Sequence, residues 1–299
     1  MLNRENFSEF LLANIRDTFT TQIESMPDYK KAFYNVMTSK KAQEMNHGMG
    51  VMSKMKKWSD SGSQVYYDEV RAGYPALYVM EKFSIGLPIE REWLDDIQYE
   101  KVKDQTKTIA DSVYYSIQED HVAEPFNKCE SFLGPDDKAL CATDHPLGPD
   151  NASTQSNKGT YALTPDNVET VRNLMKAWVN DRGGKVLINP NMLIVPKEYR
   201  KAAKIIADTD NEPFTTDYGV NVWKGALDVV EFDFLNPGVW FMVDKNRMKR
   251  FLKWYDRRKP TVEKDGKEDF DSEVIKYKAV GRWQKGFDDW SFIYGNIVS

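Results

Sequence analysis

Apolar residues recur at every fourth position near the N-terminus, which predicts an amphipathic helix that ends near Pro27. The stripe consists of Phe7, Leu11, Ile15, Phe19 and Ile23. After the stripe the sequence shows no clear period up to residue 62. We therefore expect residues 1–62 to form an arm that packs on another surface rather than a domain with its own core.

Residues 63–89 change to a strand-like pattern. Val65–Val70 and Leu77–Leu87 are rich in β-branched and aromatic residues, and Ala72–Pro75 between them carries turn signals. This pattern predicts a long hairpin. Because polar and apolar residues alternate poorly along it, we expect the hairpin to find its partner surface outside its own domain.

Residues 90–124 have the strongest helical period of the chain, and Pro125 is expected to end the helix. At 1.5 Å per residue such a helix would be roughly 50 Å long, which is typical of a structural spine. Its apolar face consists of Val102, Thr106, Ile109, Val113 and Ile117.

A compact α+β unit is predicted after the loop-rich stretch 134–159. Thr164 and Pro165 are suited to the N-cap and first position of a helix, and Gly183–Gly184 is expected to end it. The other predicted elements of this unit are a strand at 191–195, a helix at 197–207, and strands at 227–235 and 239–243. Residues 248–298 are predicted to be β-rich, with a hairpin turn at 264–267.

Composition adds limits on partners and location. The 299 residues hold 41 Lys and Arg against 46 Asp and Glu, and the net charge of −5 gives no bulk attraction to nucleic acid or acidic membranes. No apolar run reaches the roughly 18 residues that a membrane helix needs, and Glu5 and Glu9 argue against a secretory signal. Two cysteines suit a reducing cytosol. The 13% of aromatic residues is typical of a chain that buries surface against neighbours.

Catalytic motifs are missing from the sequence. It contains no phosphate-binding loop, dinucleotide fingerprint, nucleophile elbow or zinc-protease helix. Cys129, Cys141 and His145, with His121 upstream, have ligand types that suit zinc, but their spacing fits no standard zinc frame. We favour buried thiols and a structural histidine, and we predict no enzyme activity, catalytic residue, cofactor or metal site.

Two acidic patterns also fall short of a site. Asp208, Asp210 and Glu212 resemble the start of a calcium loop, but the residues that follow do not continue the loop pattern. The neighbouring pairs Asp95–Asp96 and Asp288–Asp289 are weak indicators of acid–base catalysis, because adjacent side chains point in different directions.

Residues 244–260 are strongly basic. Aromatic side chains interleave the basic ones, a pattern that could grip single-stranded nucleic acid. We favour an amphipathic strand whose charges pair with the acidic stretch 263–273, or a charge contact between subunits. The basic residues are Lys245, Arg247, Lys249, Arg250, Lys253, Arg257, Arg258 and Lys259.

The order of these elements resembles the major capsid proteins of tailed bacteriophages, which have the Hong Kong 97-type α+β shell fold, and within them the Mu-like major head subunits. The similarity covers residues from about 63 to the end of the chain. The segments that carry it are Leu140–Leu147, Leu193–Pro196 before the 197–207 helix, Trp240–Asp244, Arg257–Pro260, Phe270–Ser272, Gly281–Arg282, Gly286 and Trp290.

The resemblance implies a role for each region. Residues 1–62 would be the N-terminal arm, and residues 63–89 the extended loop that lies on an adjacent subunit. Residues 90–159 together with 246–299 would form the peripheral domain with the spine helix. Residues 160–245 would form the axial domain around fivefold and quasi-sixfold axes.

The implied function is a self-assembling icosahedral shell around double-stranded DNA. The implied partners are other copies of the chain, in hexamers and pentamers, with scaffolding, portal and decoration proteins as candidates. We expect weak, non-specific contact with the packaged DNA, assembly in the host cytoplasm, and no covalent cross-link between subunits. Three alternatives stay open: a nanocompartment shell of the encapsulin type, a metal-dependent enzyme using Cys129, Cys141 and His145, and a nucleic-acid-binding module at 245–259.

Overall fold

The computed structural model describes residues 4–58, 65–90, 92–93, 99–211, 219–265 and 274–298, with side chains from residue 12 onward. The chain divides into two compact units. The first consists of Met1–Glu44, Tyr78–Ala123 and Trp254–Lys285, and the second of Met45–Leu77, Glu124–Lys253 and Gly286–Ser299. Within the described ranges, no helix has the length and apolar character needed to cross a bilayer.

The described helices are distributed along the chain between strands. In chain order they are α1 (Arg4–Glu24), α2 (Tyr29–Phe33), α3 (Tyr99–Tyr115), a π-helical segment (Ser116–Val122), α4 (Glu124–Asn127), α5 (Pro165–Lys176), a 3-10 turn (Lys197–Tyr199), α6 (Arg200–Asp208) and α7 (Lys245–Phe251).

The strands fall into two larger sheets and two pairs. In chain order they are β1 (Asn35–Thr38), β2 (Gln43–Met49), β3 (Ala72–Val79), β4 (Glu81–Glu90), β5 (His145–Gly148), β6 (Asn151–Gln155), β7 (Lys158–Gly159), β8 (Met192–Val195), β9 (Asp228–Glu231), β10 (Val239–Val243), β11 (Leu252–Lys264), β12 (Val274–Phe287) and β13 (Ile293–Ile297).

The N-terminal helix forms as its apolar period predicts, and it packs along α3 of the same chain. Ile15 and Phe19 of the stripe are buried, whereas the side chains of Phe7 and Leu11 lie outside the described residues. The amide of Gln22 donates to the Asp111 carboxylate at 2.8 Å. The first helix therefore belongs to the core of the first unit.

The spine helix is regular over Tyr99–Tyr115 and then widens into the π-helical segment. The predicted single helix over 90–124 is thus wrong at its C-terminal end. The N–H of Ala123 donates to the carbonyl of Gln118, five residues earlier, at 2.9 Å. Pro125 lies in the first turn of α4, where its missing N–H costs nothing.

The first unit is closed by a four-stranded sheet in the order β1-β11-β12-β4, in which β12 and β4 are antiparallel. Large aromatic rings fill its core. Trp254 packs edge-on against Tyr34 at 5.6 Å, and Phe83 stacks on Trp283 at 4.6 Å. Strands β11 and β12 are neighbours in this sheet, whereas the hairpin turn predicted at 264–267 lies partly outside the described residues and stays a prediction.

The second unit contains a five-stranded sheet in the order β7-β13-β10-β8-β9. Every residue of β8 and β10 is buried, as their uninterrupted apolar sequences predict. The helix predicted at Thr164–Pro165 is confirmed, since the Thr164 hydroxyl accepts from the Asn167 N–H. It ends at Lys176 instead of reaching Gly183, which instead has a positive φ of 73° in a later turn.

The predicted hairpin at 65–87 is wrong in its pairing. Residues 65–71 form no strand, and Ala72–Pro75, expected as the turn, begins strand β3. This strand pairs with β2, and β4 pairs with β12 in another sheet. The reason is the close approach of two glycines across the pair, since a Cβ on Gly73 would lie 2.7 Å from the carbonyl carbon of Gly48.

Candidate assembly surfaces

The exposed apolar side chains of the second unit are concentrated in one stretch, residues 45–77, which we call the extended segment. More than half of all large apolar side chains that are exposed in the described residues belong to it. Met55 is fully exposed and Tyr67 is 87% exposed. The members are Met45, Met49, Val51, Met52, Met55, Trp58, Val65, Tyr66, Tyr67, Val70 and Leu77. A contiguous stretch of this kind is typical of a surface that another molecule covers.

The two ends of the segment's loop are held together by backbone and side-chain contacts. The Gly50 N–H donates to the Arg71 carbonyl at 2.9 Å, which continues the pairing of β2 with β3. The Ser53 N–H donates to the Asp68 carboxylate at 2.6 Å. This hydrogen bond, more than the nearby guanidinium of Arg182, holds the pKa of Asp68 below its usual value.

A turn in the second unit fixes this loop to the body of the unit. Arg182 donates from Nε to the Val51 carbonyl at 2.8 Å and from Nη2 to the Glu69 carbonyl at 2.9 Å. Its Nη2 also lies 3.2 Å from the Asp68 carboxylate. On the other side, the Asp181 carboxylate accepts from the Val51 N–H at 3.3 Å. One arginine therefore bridges both sides of the loop, and we call this contact the Arg182 clamp.

The turn that presents Arg182 is built by local sequence. The Asn180 side chain accepts from the N–H of Arg182 at 3.0 Å and of Gly184 at 2.8 Å. Gly183 supplies the positive φ that the turn requires. The sequence analysis treated these glycines only as a helix end. The Asn-Asp-Arg-Gly-Gly pattern identifies the turn, but the partners of Arg182 lie more than a hundred residues earlier.

A groove of about 480 Å³ lies beside the paired strands β2 and β3 within the second unit. Its lining is mixed in charge, with Arg250 and Asp288 among aromatic side chains that include Tyr74, Trp178 and Phe251. Burial, followed by the charges of nearby aspartates, raises the pKa of Tyr74. The lining therefore does not single out a ligand of one charge.

His145 is completely buried. Its Nδ1 lies 2.7 Å from the Asp136 carboxylate, and both side chains are almost completely shielded from solvent. The imidazole stacks on Trp290 at 4.4 Å, and Trp290 packs edge-on against Trp178. His121 lies in the first unit, where its ring contacts Phe83 at 4.5 Å.

Cys129 and Cys141 are both free and buried. They do not join His145 and His121 in one cluster, and the described residues contain no group of three side chains that could hold a metal ion. Of the calcium-loop candidates, Asp208 pairs with Lys204 and Asp210 with Lys224, while Glu212 lies outside the described residues.

The predicted basic strand begins as a helix, since residues 245–251 form α7. The reason is Asp244, whose side chain accepts from the N–H groups of Asn246 and Arg247 as an N-cap. Charge pairing accounts for several of the basic side chains. Lys245 pairs with Asp228, Lys253 with Asp288, and Arg258 with Glu263.

The remaining candidates give little support to acid–base chemistry. Asp288 accepts from the Asn46 amide at 2.9 Å, and Asp289 accepts from the Ser291 N–H at 2.7 Å. Asp95 and Asp96 lie outside the described residues, as does most of the acidic stretch 263–273.

The sequence analysis missed Asn157, which is fully buried. Its amide donates to the carbonyls of Leu140 at 2.7 Å and Ile293 at 3.2 Å, and its oxygen accepts from the Ala142 N–H at 2.9 Å. The residue joins the His145 region to strand β13. A single asparagine in a polar loop carries no sequence signal for such a role.

Known proteins resemble this chain in sequence and in fold. The Phage capsid protein family matches residues 78–296, well over half of the chain. Among curated proteins no sequence matches.

Solved capsid structures share the fold at low identity. The virus-like particle from Pyrococcus furiosus aligns with a TM-score of 0.56 at 11% identity, covering 95% of this chain and 98% of that chain. The procapsid of bacteriophage JBD30 aligns with a TM-score of 0.55 at 15% identity, covering 98% of this chain and 75% of that chain. The JBD30 capsid decorated with minor capsid protein trimers aligns with a TM-score of 0.57 at 15% identity, covering 71% of this chain and 92% of that chain.

The α+β architecture is the Hong Kong 97-type capsid fold that the resemblance predicted, whereas the narrower Mu-like assignment stays a prediction. The structural likeness alone does not separate a phage shell from a virus-like particle, because both align equally well. The family match covers the spine helix, strands β4 to β12 and Arg182 itself, and this chain belongs to the phage capsid protein family.

Proposed function

We propose that this chain is the major capsid subunit of a tailed phage, which assembles with copies of itself into an icosahedral shell around double-stranded DNA. The family match supports the capsid assignment. The observation that carries the mechanism is the extended segment, whose exposed Met, Tyr and Trp side chains need a partner surface. A second copy of the chain supplies that surface in a closed shell.

In this proposal the extended segment lies on a neighbouring subunit. Burial of its apolar side chains at about 25 cal/mol per Å² supplies the driving force for assembly. The Arg182 clamp holds Val51 and Glu69 at the root of the segment, so that the segment leaves every subunit from the same place. A fixed root matters because hexamers and pentamers require the same contact to repeat around different axes.

The roles of the remaining regions are proposed from the family resemblance. Residues 1–62, whose last part belongs to the extended segment, act as the N-terminal arm, and 63–89 act as the extended loop. Residues 90–159 with 246–299 act as the peripheral domain, and 160–245 as the axial domain. Scaffolding, portal and decoration proteins are candidate partners, and assembly takes place in the host cytoplasm. The net charge of −5 supports weak, non-specific contact with packaged DNA.

The rival functions have less support. A nucleic-acid-binding module at 245–259 needs a free basic surface, but Lys245, Lys253 and Arg258 each pair with a carboxylate. A metal-dependent enzyme needs Cys129, Cys141 and His145 to share one ion, but the His145 Nδ1 already faces Asp136. A nanocompartment shell remains the alternative within the same fold, and genes for a portal and a terminase beside this one would decide against it.

The test is assembly of the purified full-length chain, followed by negative-stain microscopy and light scattering. We expect closed shells, tubes or capsomer rings. A double variant, Met55→Ser with Tyr67→Ser, is expected to keep the wild-type circular dichroism spectrum and to stop assembly, because both side chains are exposed in the subunit. The matched control is Met55→Leu with Tyr67→Phe, which retains the apolar area and should assemble.

Two results would contradict the proposal at different levels. Wild-type shells formed by the serine double variant would show that the extended segment is not the assembly contact. A chain that stays monomeric even with a co-expressed scaffold, and that binds zinc or nucleic acid stoichiometrically, would overturn the capsid function itself.

A further inference from the structure

Two buried cysteines face each other in the second unit. Cys129 lies just after α4, and Cys141 lies at the far end of a loop that returns to it. The Cys141 N–H donates to the Cys129 carbonyl at 2.8 Å. This backbone hydrogen bond brings two cysteines that are twelve residues apart in the sequence into direct contact. Each thiol also perturbs the pKa of the other, lowering that of Cys129 and raising that of Cys141.

The surroundings make room for both sulfurs and distinguish them chemically. Gly295 leaves the space for the Cys141 sulfur, since a Cβ there would lie 2.5 Å from Sγ. Hydrogen bonding with the Cys141 thiol lowers the pKa of Cys129, against the smaller opposing effects of burial and of the Glu130 carboxylate. Burial raises the pKa of Cys141. The ammonium of Lys158, which pairs with Glu130, also favours the thiolate of Cys129.

We propose that Cys129 and Cys141 form an oxidation site at which a small peroxide converts the two thiols into an intramolecular disulfide. Cys129 first loses its proton, its thiolate attacks one oxygen of hydrogen peroxide, and the O–O bond breaks. The leaving hydroxide takes up the Cys129 proton, so that a sulfenic acid and one water form. The Cys141 sulfur then attacks the Cys129 sulfur, and the S–O bond breaks. The leaving hydroxide takes the Cys141 proton as a second water, so that two thiols and one peroxide give one disulfide and two waters.

The disulfide would close the loop 129–141, which carries Asp136, the hydrogen-bond partner of His145. Closing a loop of this length restricts the unfolded chain and is expected to raise the melting temperature by roughly 5–10 °C. The site is independent of the proposed shell function, because both thiols, the loop and Gly295 belong to one subunit. The thiols would remain reduced where thiol buffers are abundant and would oxidise once those buffers are absent.

The sequence provides a direct assay on the full-length chain. Trypsin cleaves after Lys128, Lys138 and Lys158, so the two cysteines fall in different peptides, 129–138 and 139–158. The native protein is treated with hydrogen peroxide, blocked with iodoacetamide in denaturant, digested without reductant and examined by mass spectrometry. We expect the two peptides to be linked, and the link to disappear when reductant is added.

Single variants assign the roles of the two sulfurs. Cys141→Ser should stop the reaction at the sulfenic acid of Cys129, which dimedone labels, whereas Cys129→Ser should leave Cys141 unlabelled and reduced. Both cysteines of the wild-type protein alkylated after peroxide treatment would overturn the proposal. A disulfide between two chains, seen as a dimer on a non-reducing gel, would also overturn it.

Discussion

Asn157 shows at the scale of one residue how a polar side chain holds an apolar unit together. Its three hydrogen bonds join the chain at Leu140 and Ala142 to strand β13 at Ile293. Asn157→Ala would leave three buried backbone groups without partners. Because each such group costs about 1–3 kcal/mol, partly relieved by relaxation, we expect a loss of about 2–4 kcal/mol in the free energy of unfolding.

Urea denaturation of the unassembled subunit measures this loss. Asn173→Ala is the matched control, since Asn173 is exposed on helix α5 and should change the free energy of unfolding by less than about 0.5 kcal/mol. Equal midpoints for Asn157→Ala and the control would show that Asn157 does not join the two segments.

Tyr277 illustrates the opposite case, a buried hydroxyl with no partner among the described residues. Burial raises its pKa to about 12. The folded-state pKa is above the ordinary value near 10. The contribution of Tyr277 to the free energy of unfolding is therefore fully present below pH 10 and is lost as the pH rises from 10 to 12. Tyr277→Phe removes the ionisable group, so we expect equal or slightly higher stability at pH 7 and a smaller loss at high pH.

Melting temperatures between about pH 8 and 12 test this prediction. Tyr294 has a similarly raised pKa, about 12, but its hydroxyl donates to the Lys158 carbonyl at 3.1 Å. Tyr294→Phe should therefore lower stability already at pH 7, by about 1 kcal/mol. If the melting temperature of Tyr277→Phe fell at high pH by as much as that of the wild type, Tyr277 would not be a source of the alkaline loss of stability.

At the scale of elements, the sequence correctly predicted those helices and strands that local interactions determine. The Thr164 cap, the buried strands β8 and β10 and the N-terminal helix are confirmed because their signals lie within a few residues. The turn at Ala72–Pro75 was wrong because Gly73 meets Gly48, which is distant in the sequence. The Arg182 clamp could not be predicted for the same reason, since its acceptors lie more than a hundred residues earlier.

The clamp gives a testable property of the extended segment. Arg182→Ala removes two hydrogen bonds and an ion pair from the root of the loop. Charge-assisted bonds contribute about 1.5–3 kcal/mol each, so the population of the opened loop should rise by at least about tenfold. Trypsin should then cleave at Lys54, Lys56 and Lys57 about tenfold faster at low protease concentration.

Two further variants delimit the role of the guanidinium. Arg182→Lys should give an intermediate cleavage rate, because one ammonium cannot span both sides of the loop as a guanidinium does. Arg200→Ala, which removes an exposed ion pair with Glu231, should leave the cleavage rate unchanged. Wild-type cleavage of Arg182→Ala would show that the two glycines and the Ser53–Asp68 contact suffice to hold the loop.

At the scale of the whole molecule, net charge and exposed apolar surface act in opposite directions. Each subunit carries a net charge of −5, so approaching subunits repel one another. The extended segment favours contact by burying apolar area, which salt does not screen. We therefore expect the assembly rate, followed by light scattering, to rise as sodium chloride increases from about 50 to about 500 mM and shortens the screening length.

The two forces can be separated with variants already described. The Met55→Ser and Tyr67→Ser double variant should stay unassembled across the whole salt range, because screening removes the repulsion without supplying an attraction. An assembly rate of the wild type that falls as salt increases would mean that opposite charges on neighbouring subunits drive the contact. In that case Arg250 and Asp288 at the groove, rather than the exposed apolar side chains, would be the residues to replace first.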